Sequence, residues 1–261
     1  IGDHALDGAL DNVDGTVAIG ADALGALTSG GYNLAIGHQA GLLVTDGSSN
    51  TLIGYGAADG MRSGSSRNTA LGAGAFGGGH STADSNDCVA IGAYAMVGAC
   101  NAVTGSVAVG AYALNELTTG ARNFAIGYQA LQDMTTGQDN MAIGYQAMLD
   151  ANHVGFDYNT AIGNYSMDGA GAVACAYNTA VGYGTLSGTL TAAADSNTAV
   201  GYESLNAITS GLHNTAVGAG SLDALTAGGY NTAVGVDALG NATTQSDQNT
   251  AIGRAAMSGA I

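Results

Sequence analysis

One short signature, Asn-Thr-Ala-Ile/Val-Gly, returns every 17 to 20 residues along the whole of this 261-residue chain. Its glycine falls at Gly2, Gly20, Gly37, Gly54, Gly72, Gly92, Gly110, Gly127, Gly144, Gly163, Gly182, Gly201, Gly218, Gly235 and Gly253. A fixed period of this length marks a stacked repeat, in which each unit buries its apolar surface only against its neighbours. No gap interrupts the series, so residues 1–261 read as a single repeat domain. Helices are a poor alternative, because no stretch free of Gly is long enough to be stable alone.

Within each turn the residue types are ordered. From Gly20 onward the residue before Gly is Ile or Val except at Leu71, and the one before that is Ala except at Leu52. The next position back holds Thr in eight turns, among them Thr160, Thr179, Thr198, Thr215, Thr232 and Thr250. Val17, Leu34, Phe124 and Met141 stand there in others. Asn precedes it in eleven turns, including Asn33, Asn68, Asn123, Asn178 and Asn249. After the Gly come two variable residues, a small one and then usually Leu or Met, as at Ala113-Leu114 and Ser204-Leu205.

Short runs rich in β-branched residues and bounded by Gly favour strands over helices. The pattern predicts an all-β parallel solenoid of about 14–15 turns, with each strand about 4.8 Å from its copy in the next turn. One cycle has room for two short strands, with Gly permitting the bend between them. The Asn column is expected to stack as a hydrogen-bonded ladder.

Side chains alternate along a strand, so Thr and Ile/Val share one face and Ala takes the other. We expect the Ile/Val and Leu/Met columns to fill the interior. The Ala column (Ala108, Ala125, Ala142, Ala161, Ala180, Ala199, Ala216, Ala233) would then point outward. Strands apolar on both faces are usually covered on both, so these alanines become the candidate interface of a homo-oligomer, a trimer first. The converse is that Ala points into a narrow solenoid and Thr points out. Regular outward Thr rows are a route to ice binding, here weighed against the interruptions at Val89, Val107, Phe124 and Met141.

Composition narrows the function classes. Acidic residues number 20 against four basic ones, a formal charge of −16. Such an excess repels nucleic-acid phosphates and anionic membranes. No apolar run reaches the roughly 18 residues of a spanning helix, and no segment reads as a signal peptide. Ile1 in place of an initiating Met suggests a processed or excised segment.

Chemical motifs are sparse. Gly72-Ala73-Gly74-Ala75-Phe76-Gly77 fits G-x-G-x-x-G but lacks a strand-to-helix context. His4, His38, His80, His153 and His213 show no metal spacing, and no catalytic constellation stands out, so a non-enzymatic protein is expected. Asp84, Asp87 and Asp195 lie in oxygen-rich clusters of the kind Ca²⁺ prefers, with solvated turns as the plainer reading. Cys88, Cys100 and Cys175 are expected as small buried hydrophobes, with a Cys88–Cys100 bridge as the alternative. Tyr55, Tyr128, Tyr145, Tyr183 and Tyr202 form a broken outer row, either packing or offering rings to a glycan. Asn164-Tyr165-Ser166 and Asn241-Ala242-Thr243 are glycosylation sequons.

Ser106-Val107-Ala108-Val109-Gly110 and Val89-Ala90-Ile91-Gly92 resemble the head repeats of trimeric autotransporter adhesins. The longer form from Asn140 to Met148, Asn-Met-Ala-Ile-Gly-Tyr-Gln-Ala-Met, is similar to repeats of bacteriophage tail fibres and large secreted bacterial proteins. The adhesin resemblance implies a left-handed β-roll, three chains around one axis, and display on a bacterial surface. Adhesin turns are shorter, and the extra residues here follow the Leu/Met position. The resemblance implies a rigid segment of an extracellular adhesin or phage tail fibre. It would present its longer loops, near residues 77–87, 149–158 and 169–177, to a cell-surface or glycan receptor. A self-assembling extracellular filament is the alternative, since neither end shows a polar cap.

Overall fold

A computed structural model describes residues 1–62, 64–79, 84–152, 154–169, 171, 174–191, 194–242 and 246–259. It is an all-β parallel solenoid with fourteen strands of three residues each. The chain divides into two compact units, Ile1–Gln129 and Ala130–Ile261.

The first unit carries β1 (Val17–Ile19), β2 (Leu34–Ile36), β3 (Thr51–Ile53), β4 (Thr69–Leu71), β5 (Val89–Ile91), β6 (Val107–Val109) and β7 (Phe124–Ile126). The second carries β8 (Met141–Ile143), β9 (Thr160–Ile162), β10 (Thr179–Val181), β11 (Thr198–Val200), β12 (Thr215–Val217), β13 (Thr232–Val234) and β14 (Thr250–Ile252). Within each unit, sequential strands pair in parallel with like positions opposed, as in Thr179↔Thr198, Ala180↔Ala199 and Val181↔Val200. Thr198↔Thr215 and Thr215↔Thr232 continue the register.

Each turn holds one strand, not the two expected from its length. The reason lies in the backbone after the repeat glycine. Residues two and four places on adopt left-handed φ, for example Tyr112 (61°) and Leu114 (49°), or Glu203 (50°) and Leu205 (53°). Tight turns follow one another, with Ala113 N donating to Gly110 O at 3.3 Å and Leu117 N to Leu114 O at 3.3 Å. Other amides pair between turns: Tyr112 N reaches back to Ala93 O, and Leu205 N forward to Ser221 O. This wall is a stack of turns that hydrogen-bond within and between themselves without an extended strand.

The repeat glycines serve the stacking as well as the bend. Their φ values lie in the region open chiefly to Gly, as at Gly163 (138°) and Gly182 (139°). A Cβ added at Gly182 would sit 2.2 Å from the carbonyl oxygen of Gly201 in the next turn. Gly20, Gly37, Gly54, Gly72, Gly92, Gly110, Gly144, Gly201, Gly218 and Gly235 meet the next turn's glycine backbone in the same way. Gly127 and Gly253 share the positive φ.

The interior reverses the expected facing of the strands. The middle residue of each strand, Ala in all but β3 where it is Leu52, is buried, and the residues flanking it are part-exposed or exposed. Ala108, Ala125, Ala142, Ala161, Ala180, Ala199, Ala216 and Ala233 are each 0% exposed within a single chain. They cannot be an oligomer interface, and the Ala column gives no ground for a trimer. The opposite wall fills the narrow core with Leu114, Leu131, Met148, Leu205, Leu222 and Leu239, all fully buried. An Ala beside a Leu leaves no room for two large columns, so the Ile/Val column stays outside.

The Asn ladder is present. Asn197 donates its backbone N–H and its side-chain amide to Asn178 Oδ1, at 2.9 and 3.2 Å. Its own Oδ1 accepts the same pair from Asn214, at 3.0 and 3.1 Å, and its Nδ2 also donates to Gly211 O at 2.9 Å. The pattern runs through Asn140, Asn159, Asn178, Asn197, Asn214, Asn231 and Asn249. In the first unit Asn50 donates its backbone N–H and its side-chain amide to Asn33 Oδ1, Asn68 N donates to Asn50 Oδ1 at 2.9 Å with its side-chain amide on Ser85 O, and Cys88 N closes on Asn68 Oδ1 at 3.0 Å.

Candidate interaction face

The strand positions that leave the core build one repetitive outer face in each unit. In the second unit its first row is Met141, then Thr160, Thr179, Thr198, Thr215, Thr232 and Thr250 without interruption. The second row is Ile143, Ile162, Val181, Val200, Val217, Val234 and Ile252. Ile162, Val200, Val217 and Val234 remain 36–37% exposed. In the first unit the equivalent row has Thr only at Thr51 and Thr69 and is otherwise apolar. No outward position of any of the fourteen strands carries a charge. Sequence reasoning named these residues and their shared face, and placed that face inside.

Aromatic rows border the face. Tyr183 stacks on Tyr202 (centroids 5.7 Å, planes 8° apart), and Tyr165 meets Tyr183 edge-on. Tyr145 meets Tyr165 edge-on at 5.3 Å, while His38 stacks on Tyr55 and Tyr94 on Tyr112. Tyr128 continues that row, edge-on to Tyr112. On the other border Tyr158 stacks on Tyr177 at 5.2 Å, and His213 lies against Tyr230 at 5.0 Å. The rows stabilise turn-to-turn stacking by roughly 0.5–1.5 kcal/mol per pair.

Two of the three candidate Ca²⁺ ligands serve the stack. Asp87 accepts two hydrogen bonds from the Arg67 guanidinium, at 2.6 and 2.8 Å. That partner holds its carboxyl below the usual carboxylate range. Asp195 Oδ1 accepts Ala176 N at 2.8 Å. Asp84 is exposed beside Gly64, and Asp84 and Asp195 lie in different units. Among the described residues no three His, Cys, Asp or Glu converge on a common point.

Cys88, Cys100 and Cys175 are free and buried, so the Cys88–Cys100 bridge is not formed. The Cys88 and Cys100 thiols face backbone carbonyls, Cys88 Sγ lying 3.2 Å from Val103 O and Cys100 Sγ 3.5 Å from Leu117 O. Burial pushes Cys88 up to about 11 and Cys175 up to about 12. Cys100 is raised further by the same cause.

The Gly72–Gly77 motif runs from β4 into the turn wall, with Gly74 at φ 62°. His80 and His153 lie outside the described residues, as do Thr243 of the second sequon and parts of all three long loops. In the first sequon Asn164 Oδ1 accepts Tyr145 N at 2.9 Å.

A scan of protein-family models matches no family, and neither the curated proteins nor the solved structures yield a match. What the fold itself defines is the class: a parallel β-solenoid repeat protein.

Proposed function

We propose that this chain is a non-enzymatic structural protein, a rigid segment of an extracellular attachment fibre of bacterial-surface or phage-tail type. The observation that carries this reading is the Asn ladder. Seven successive turns of the second unit are tied by side chains that each satisfy backbone and side-chain groups in the adjoining turns. A fully satisfied buried network of this kind rigidifies the element that contains it. Rigid stacking is what a fibre segment needs in order to hold loops and an outer face at a distance.

The reading is tested with beads coated with the chain and applied to candidate host cells under flow. Retention above that of beads carrying an unrelated acidic protein is the expected result. Removing residues 80–82, which returns that turn to the 17-residue length of several others, should spare folding, read by circular dichroism. Retention unchanged after removal of each long loop in turn shows that the loops do not bind. Indefinite polymers in electron micrographs, in place of discrete particles, favour a filament subunit instead.

A further inference from the structure

We infer that the outward Thr and Ile/Val rows of β9–β14 form an ice-binding surface, whose ligand is the ordered water lattice of ice itself. This inference stands whether or not the chain belongs to a fibre.

Three observations carry it. Six consecutive turns present Thr at the same register position, with Ile or Val two residues on. In-register parallel pairing repeats each hydroxyl and methyl at the strand spacing, about 4.8 Å. A partner for such a surface must itself be periodic over several repeats. An ordinary protein partner instead offers a few irregular anchors.

The chemistry then favours water over a second protein surface. Each Thr offers one hydroxyl, able to donate and to accept, beside a methyl that cannot hydrogen-bond. The Ile/Val row adds further methyls, so water above the face is held by regular hydroxyls and confined by apolar walls. No charged side chain occupies the face to impose a hydration shell of its own. β-branched side chains are stiff at χ1, and the Asn ladder holds the backbone beneath them. Little ordering is left to be lost on binding.

Growth arrest of single ice crystals is measured in a nanolitre osmometer with the full chain. Faceted crystals and a freezing point below the melting point are expected. The double variant Thr198→Lys/Thr215→Lys should lower that gap by about tenfold or more at equal concentration. Thr191→Lys, off the strand face, should leave it unchanged, and circular dichroism should show all three proteins folded. A gap no larger than that of an unrelated acidic protein overturns the inference. So does a double variant that keeps full activity. Sedimentation supplies a further check: association abolished by the double variant, with no effect on ice, makes a second copy the occupant and overturns the inference.

Discussion

At the scale of single residues, the recurring constraint is backbone handedness. Three places in each turn take left-handed φ: two and four after the repeat glycine, and one before Asn. None of the non-glycine residues found there is Val, Ile or Thr. A β-branched side chain in this region is a genuine outlier, which explains why the inner column after Gly uses Leu, Met and Phe and leaves Ile and Val to the strands. Leu205 (φ 53°, fully buried) is the place to test this. Volume-conserving swaps in a core usually cost under about 1.5 kcal/mol. Leu205→Met, which copies Met148 and Met167, should stay below that, whereas Leu205→Ile should lose about 2 kcal/mol or more by urea denaturation. Equal losses would show that handedness is not what excludes β-branching. Gly182→Ala is a harsher change. Its new Cβ meets a carbonyl that cannot withdraw without separating two turns, so a loss of about 3 kcal/mol or more is expected from the same measurement.

At the scale of the turn, the buried ladder governs. Asn197→Ala would strand the backbone and side-chain amide donors of Asn214 and the carbonyl of Gly211, and leave a void. We expect about 2–4 kcal/mol of lost stability. Asn197→Asp should cost more at neutral pH, because it also places a charge in the core, and less on acidification as that charge is neutralised. Urea melts at two pH values check both; a pH-independent Asp penalty would mean that the ladder position is solvated. The ladder also shows what could be read from sequence. Period, strand positions, parallel register and the Asn column follow from the spacing of Asn, Thr, Ala and Gly. Alternation says which residues share a face, and not which face is inward; apolarity then argued wrongly for Ile/Val. The correcting signal was present, since Asn159 and Ala161 lie two apart and share a side. A stacked Asn ladder inside the solenoid therefore carries Ala in with it and turns Thr160 and Ile162 out. The second wall was not legible, because its shape depends on left-handed residues such as Tyr112 and Leu114, whose types look ordinary for extended chain.

At the scale of the whole molecule, the acidic excess meets a fold that partly buries some of its carboxylates. Asp59, Asp150, Asp168 and Asp223 all have pKa values raised, in each case first by burial. The Asp133 carboxylate adds to the effect at Asp150. Asp223 Oδ1 has no hydrogen-bond partner among the described residues. An acid whose folded pKa is raised binds its proton more tightly when folded, so its ionised form destabilises the protein at neutral pH. That penalty shrinks as pH falls through the folded pKa and is gone near the unfolded value of 3.8. Asp87 works the other way: its stabilisation by Arg67 is present above the unfolded value and lost as pH falls through its lowered pKa. That pair is exposed and is worth little. Relief of the −16 charge acts with the four raised carboxylates. Thermal melts at low protein concentration should therefore show Tm rising between pH 7.5 and about 4.5, by about 2–4 °C for each kcal/mol recovered. Asp168→Asn should raise Tm at pH 7.5 and flatten the profile. A Tm that is level or falls over this range would mean that these side chains are as well solvated in the folded protein as in the unfolded chain, and that the stack bears its charge without cost.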